Sequence, residues 1–147
     1  MADIREEILA RLLIVVGVVV GTDKAFRNQI EIPESARPAI VILDADEIAD
    51  EADNNRKRPA ISPRIVSMSP EIYILVGSKP ADIGTDLNTL RTALIKAILT
   101  DDSLVALCHD GQVIYDGFST GLAAGRSMEG EAGVSFTFPY VLRPSQL

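Results

Sequence analysis

Residues 12–21 read LLIVVGVVVG, ten consecutive residues without a polar side chain. A membrane-spanning helix needs about 20 apolar residues in succession, whereas Arg11 precedes this run and Thr22 and Asp23 follow it. A secretory signal needs a basic leader and a small-residue cleavage site, but the charged residues ahead of the run are mostly acidic and no such site follows it. We therefore expect the run to lie in the core of a protein made in the cytoplasm, without a membrane role.

The spacing of apolar residues in and before this run is that of a helix. Apolar side chains recur every three or four positions, which predicts a helix that buries one face. These positions are Ile4, Ile8, Leu9, Leu12, Leu13, Val15 and Val16. Asp3 followed by Glu6 has the pattern of a capping box at the helix start. Because Gly17 interrupts the pattern and three β-branched valines follow, we expect the helix to end near Gly17 and residues 18–20 to form a short strand.

Further segments have the patterns of strands. Residues 40–43 are an apolar run typical of a strand buried on both faces. Residues 63–78 alternate between apolar and polar side chains, and Pro70 within them indicates an edge position or a bulge. Residues 112–118 and 133–143 predict two more strands.

A second long helix is predicted between these strands. Either Asp82 or Thr85 is its expected N-cap. Its apolar stripe consists of Leu87, Leu90, Leu94, Ile95 and Ile98. A short helical turn is expected at residues 103–108, before the chain reaches Gly111.

Together these elements predict a two-layer α+β fold, in which two main helices pack on one face of a mainly antiparallel or mixed sheet of about four to five strands. The chain length suits a single domain over residues 1–147. Residues 48–62 and 119–132 are charged or glycine-rich and are expected to be long loops. We expect both loops to be mobile in the free protein and to become ordered when it docks on a partner.

The composition narrows the classes of function. A net charge of −7 does not supply the basic face that nucleic-acid binding requires. Cys108 is the only cysteine and His109 the only histidine, which excludes an internal disulfide, a thiolate zinc cluster and any site that needs two histidines. No glycine-rich phosphate-binding loop is present. We therefore expect no enzymatic activity, no catalytic residue, no cofactor and no direct nucleic-acid binding.

Two local patterns imitate active sites. Residues 117–121 read GFSTG, the G-x-S-x-G of a hydrolase nucleophile, but that mechanism needs a histidine later in the chain and His109 comes earlier. Cys108 and His109 are adjacent, and the side chains of adjacent residues point in different directions. We interpret neither pattern as catalytic.

An acidic run follows the predicted buried strand. Carboxylates at alternate positions can hold a hard divalent cation through their oxygens, and Asp44, Asp46 and Glu47 are the residues that would do so. A solvated acidic surface is the other interpretation. We expect the solvated surface and no metal, and keep the cation site as the alternative.

Four segments in this order resemble the tail terminator family of long-tailed bacteriophages, also described as tail completion or minor tail protein U-like. They read FRNQIEIPESARPAIVILDADE at residues 26–47, SPRIVSMSPEIYILVG at 62–77, TDLNTLRTALIKAIL at 85–99 and GVSFTFPYVL at 133–142. The features that carry the likeness are Phe26-Arg27-Asn28, Arg37-Pro38-Ala39 ahead of an apolar strand that ends in Asp, and Asn88 with Leu90-Arg91 on the second helix.

The resemblance implies a non-enzymatic α+β subunit of the virion tail and neck, made in the cytoplasm of the bacterial host. Such subunits form a ring, commonly a hexamer, that caps the growing tail tube, stops its polymerisation and presents a surface for head joining. The implied partners are other copies of this chain, the major tail tube protein and the head–tail connector protein.

The resemblance also implies that Arg27 and Asn28 contact a neighbouring subunit, and the alternative is an ion pair or turn hydrogen bond within one subunit. The basic residues of the two long loops are further candidates for subunit or partner contacts, namely Arg56, Lys57, Arg58 and Arg126. Two other functions stay open. One is a head-completion or connector protein of the same neck region, and the other is a small metal-dependent enzyme.

Overall fold

The computed structural model describes residues 3–120 and 130–147, and within them four helices pack on a mostly antiparallel sheet of seven strands, the three longer helices on one face of it. In chain order the elements are α1 (Ile4–Val20), β1 (Ala25–Arg27), β2 (Ala39–Leu43), β3 (Glu47–Ala49), α2 (Glu51–Asn54), β4 (Arg64–Met68), β5 (Glu71–Leu75), α3 (Pro80–Leu99), α4 (Asp102–Leu107), β6 (Ile114–Ser119) and β7 (Glu131–Leu142). The two-layer α+β fold is therefore confirmed.

The apolar run at residues 12–21 lies almost entirely in α1. The expected helix end at Gly17 is wrong, as is the short strand after it, because α1 continues through Gly17 to Val20. Gly21 ends the helix with a φ of 97°, a value that favours glycine, and donates its N–H to the Gly17 oxygen at 2.9 Å. At the other end the Asp3 side chain accepts the N–H of Glu6, as the capping pattern predicts.

The strand order of the sheet is β1-β2-β5-β7-β4-β3, and β6 pairs with β7. Within the described residues β1 and β2 form a parallel pair, and the remaining strand pairs are antiparallel. The strand number exceeds the expected four to five because the short strands β1 and β3 lie in segments without a strand pattern. In addition, the alternating segment at residues 63–78 is divided into β4 and β5.

Pro70 causes that division. Met68 of β4 pairs with Phe138, and Glu71 of β5 pairs with Ser135, so both strands follow β7 in one register. Proline has no N–H to donate to a neighbouring strand, which interrupts the ladder. Since β5 lies between β2 and β7, the expected edge position at Pro70 is wrong. On the side away from β7, however, Leu43 pairs with Glu71 and Glu47 pairs with Met68, so the chain opposite Pro70 contains one extra residue, as in the expected bulge.

The main core lies between the helices and the sheet. β7 contributes its largest fully buried side chains, Phe136, Phe138 and Tyr140. The predicted apolar faces of the other elements are confirmed, since their residues are buried in the same cluster. These residues include Ile8, Leu12 and Val16 of α1, Val66 and Met68 of β4, Ile72 and Ile74 of β5, and Leu87, Leu94 and Ile98 of α3.

Residues 3–120 and 130–147 cover the opposite face of the sheet only in part. The segment between β1 and β2 crosses it, and there Ile32 packs with Val41 of β2 and Leu75 of β5 in a second, smaller core. Further along the sheet, Glu71 and Ser135 are exposed on this same face. We call this uncovered part, over β5, β7 and β6, the open face.

The two predicted long loops are shorter than expected. Residues 48–62 begin inside β3 and contain α2, and the ends of residues 119–132 belong to β6 and β7. Residues 121–129 lie outside the described part of the chain.

α3 begins at Pro80, with Lys79 as N-cap, rather than after Asp82 or Thr85, because proline is well suited to the first position of a helix.

Two glycine substitutions test this description of the backbone. A Cβ added at Gly17 would lie 3.5 Å from the Thr22 Cα, an ordinary contact, so Gly17→Ala should stabilise the protein by about 0.5–1 kcal/mol through better helix propensity. Gly130 has a φ of 75°, and an added Cβ would lie 2.3 Å from the Val76 oxygen. Gly130→Ala should therefore destabilise by at least about 1–2 kcal/mol. Urea unfolding of both variants measures these changes, and a loss of stability in Gly17→Ala would contradict an unbroken α1.

Candidate interaction surfaces

Arg27, at the end of β1, is held by two carboxylates of its own chain. Its Nε and Nη2 donate to Asp44 at 2.9 and 2.8 Å, and its Nη1 and Nη2 donate to Glu6 at 2.7 and 3.0 Å. Glu6 lies in the first turn of α1, and Asp44 directly follows β2. The paired, two-point geometry is the strong form of an arginine–carboxylate contact. One side chain thus ties α1 to the parallel strand pair.

The ionisation of this cluster follows from its hydrogen bonds. The bonds from Arg27 hold the pKa of Asp44 and the pKa of Glu6 below their usual values. The same two carboxylates raise the pKa of Arg27. All three groups are therefore charged at neutral pH.

Asn28 closes the turn after β1. Its φ of 58° lies in the left-handed region, which asparagine tolerates better than most residues. Its N–H donates to the Ile42 oxygen at 2.7 Å, and its side-chain oxygen accepts the N–H of Asp44 at 2.8 Å. Asn28 and Arg27 thus make the turn hydrogen bonds and ion pairs that we considered as the alternative to subunit contacts. A contact with a neighbouring subunit stays a prediction for both.

The segment between α2 and β4, residues 55–63, carries three predicted contact residues, and we call it the basic arm. Asp53, at the end of α2, holds the arm to the sheet because its buried carboxylate accepts the N–H of Ile65 in β4 at 2.8 Å. The same carboxylate lies 3.2 Å from Arg58 and 3.6 Å from Arg56. The bond from the Ile65 N–H is the main reason that the pKa of Asp53 lies below its usual value.

The basic residues of the arm differ in exposure. The Arg58 side chain is 14% exposed, against 74% for Arg56, and Lys57 is exposed as well. Arg58 therefore belongs to the anchor at Asp53, whereas Arg56 and Lys57 face solvent. Arg126, the fourth candidate from the sequence, lies outside the described residues.

The three acidic residues after β2 that were considered as cation ligands have different surroundings. Asp44 is engaged by Arg27, and Asp46 and Glu47 are exposed. No group of three or more histidine, cysteine, aspartate or glutamate side chains in the described chain could hold a metal ion.

Cys108, His109 and Ser119 belong to the two sequence patterns that resemble active sites. Cys108 is buried and its thiol donates to the Leu104 oxygen at 3.5 Å; burial raises the pKa of this thiol to about 11. His109 lies beside Asp110, with 3.4 Å between Nε2 and Oδ2. Ser119 is the exposed last residue of β6, and Gly121, the end of the G-x-S-x-G pattern, lies outside the described residues.

The open face of the sheet holds a polar groove that the sequence analysis did not identify. It has a volume of about 590 Å³, and three carboxylates line it, those of Glu71, Asp116 and Glu131. Neither lysine, arginine nor histidine occurs among the described residues that line it. We call it the acidic groove.

The position of Asp116 depends on a local irregularity. The pairing of β6 with β7 shifts by one residue between Tyr115 and Gly117, which leaves Asp116 in a β-bulge. Bulges change the direction of a side chain, and here the Asp116 carboxylate accepts the hydroxyl of Thr137 at 2.5 Å. On the neighbouring strand the Tyr73 hydroxyl donates to Glu71 at 3.2 Å. The alternating polar residues of β5 and β7 indicated a solvated face, but not that three carboxylates meet there.

α1 presents a second surface that periodicity alone did not predict. Ile14 and Val18 lie one turn apart on its outer side and are 56% and 80% exposed. The inner side of the same turns is fully buried, so the second half of α1 is apolar on both sides.

Within residues 3–120 and 130–147, no helix is long and apolar enough to cross a membrane.

A scan against models of known protein families finds no match to this chain, and a search of curated proteins finds no significant match. The likeness to tail terminators therefore depends on the four sequence segments quoted above.

The Arg27 cluster should affect stability in a pH-dependent way. Because the folded-state pKa values of Asp44 and Glu6 are lowered, their contribution is present above the unfolded pKa near 4 and is lost as pH falls through the folded values. Arg27→Ala should be less stable than wild type at pH 7, and the difference should shrink towards pH 2. Urea unfolding across this range measures it, with Lys96→Ala as the exposed control. A difference that is independent of pH would contradict the ion pairs.

The anchor of the basic arm can be tested by hydrogen exchange. Asp53→Ala removes the acceptor of the Ile65 N–H and the partner of Arg58. We expect faster amide exchange in residues 50–65 and unchanged exchange in α3, measured by mass spectrometry. Exchange at the wild-type rate in this segment would contradict an anchoring role for Asp53.

Proposed function

We propose that this chain is a structural assembly protein of a long-tailed bacteriophage. It forms a ring, a hexamer in the family that it resembles, at the end of the tail tube. The ring ends polymerisation of the tube and provides the surface to which the head is joined. Its partners are further copies of itself, the tube protein and the connector of the head.

The observation that supports an assembling subunit is the outer side of α1. A helix that is apolar on all sides is normally buried on all sides, but Ile14 and Val18 lie in solvent in the single chain. Complete burial of one such side chain contributes about 1.5–3 kcal/mol. Two neighbouring side chains of this kind give a partner subunit a substantial part of its binding energy.

The segments that resemble the tail terminator family form the centre of the fold. They include β1 and β2, then β4 and β5, then most of α3, and finally most of β7. The likeness therefore concerns the sheet and the long helix against it, rather than variable surface segments.

Electron microscopy of particles from the parent phage, with this gene deleted, tests the proposal directly. We expect tail tubes of uncontrolled length that are not attached to heads. Tails of normal length beside full heads would instead identify a head-completion or connector protein, and the terminator assignment would be wrong.

Substitutions on α1 test whether its outer side is an interface. Ile14→Ser with Val18→Ser should leave the far-ultraviolet circular dichroism unchanged but lower the oligomer mass in sedimentation velocity, because the covered apolar area is lost. Ile30→Ser, at an exposed isoleucine outside the helix, serves as the matched control. Equal masses for the double variant and wild type would exclude this side of α1 from the interface.

A further inference from the structure

The basic arm and the acidic groove are opposite in charge and lie in different parts of one subunit. We propose that the arm of one copy docks in the groove of the next copy. This inference rests on the proposed ring, and it specifies which two surfaces meet.

The arm carries a concentrated positive charge. Arg56, Lys57 and Arg58 are the only adjacent basic residues in the sequence, and residues 55–63 contain no acidic residue. Asp53 offsets part of this charge from within the fold. Arg56 and Lys57 remain directed to solvent, together with Ile61, which is 60% exposed.

In contrast to the mobile loop expected from the sequence, the arm has internal hydrogen bonds that shape it before binding. The Ser62 N–H donates to the Pro59 oxygen at 3.0 Å, and Arg64 donates to the Ala60 oxygen at 2.6 Å. Two prolines, Pro59 and Pro63, further restrict its backbone. A segment that already holds its shape loses little conformational entropy on docking.

The groove has the complementary character. Glu71 and Asp116 place two carboxylates on its wall, and the Tyr73 hydroxyl, which donates to Glu71, lines it as well. Oppositely charged surfaces steer subunits into one orientation and disfavour others. The hydroxyls and carboxylates can accept hydrogen bonds from an arginine and a lysine side chain.

The distance between the two surfaces favours a contact between copies. The arm joins β4 at Arg64, and the groove begins at Ser69, five residues or about 17 Å further along the strand. No residue of the arm lines the groove of its own chain, and Asp53 holds the near end of the arm to β4. An interface made of two different patches on each subunit is heterologous, and repetition of such an interface generates a ring when its rotation closes.

Cross-linking between introduced cysteines tests the contact. In a Cys108→Ala background, Lys57→Cys places a thiol on the arm and Ser135→Cys places one in the lining of the groove. A short bis-maleimide should give a ladder of linked subunits on a denaturing gel. Lys57→Cys combined with Lys96→Cys on the exposed side of α3 is the matched control, and a ladder no stronger than this control would overturn the proposal.

Charge reversal gives an independent measurement in the native sequence background. Arg56→Glu with Lys57→Glu, or Glu71→Lys with Asp116→Lys, should each weaken self-association in sedimentation equilibrium by about tenfold. Combining the two pairs should restore association, which a folding defect would not do. Glu31→Lys, at an exposed glutamate outside the groove, is the control.

The outcomes separate this contact from the proposed function. Normal rings and tail lengths in phage that carry the arm reversal would overturn the arm–groove contact and leave the terminator assignment intact. Loss of head joining with unchanged self-association would show that the arm binds another protein, and would also overturn the contact. Wild-type protein that stays monomeric at all concentrations and still restores normal tails to the deletion phage would overturn both the ring and this contact.

Discussion

β7 is the constraint on which both surfaces of the sheet depend. It pairs with β4 and β5 along one edge and with β6 along the other. Because side chains alternate along a strand, the register that buries Phe136 and Phe138 also places Ser135 and Thr137 on the open face. A slip of one residue would put the aromatic rings in solvent and the hydroxyls in the core. The packing against the helices therefore fixes the composition of the acidic groove.

The alternation in β4, β5 and β7 was strong enough to predict the buried faces, but the end of α1 was not predictable from local pattern. Three valines after Gly17 favour a strand by intrinsic preference, yet such preferences are small and tertiary packing overrides them. Val15 and Val16 are buried against the core, and the next residue that can adopt a positive φ, Gly21, ends the helix. The consequence is a helix with an apolar outer side, a property that the shorter predicted helix would not have had.

The contacts of the candidate site residues were less predictable than the residues themselves. Arg27 was identified from the resemblance, but its partners are 21 and 17 positions away in the sequence. Asp53 lies 12 positions from the N–H that it accepts. Residues of three strands line the acidic groove, and Asp116 lies there because of a β-bulge that no short sequence pattern predicts. Sequence periodicity reports which face a residue occupies, whereas these sites depend on which strands become neighbours.

The charge of the chain sets a condition on any ring built from it. Each copy carries a net charge of −7, so adjacent copies repel one another unless positive groups lie at their contact. Arg27 and Arg11 cannot serve this purpose fully, since each is already paired with carboxylates of its own chain. Arg56 and Lys57 are exposed and adjacent, and although Arg56 lies 3.6 Å from the anchoring Asp53, its side chain remains 74% exposed. An interface that places them over the acidic groove offsets part of this repulsion, while the apolar side of α1 can add binding energy that salt does not screen.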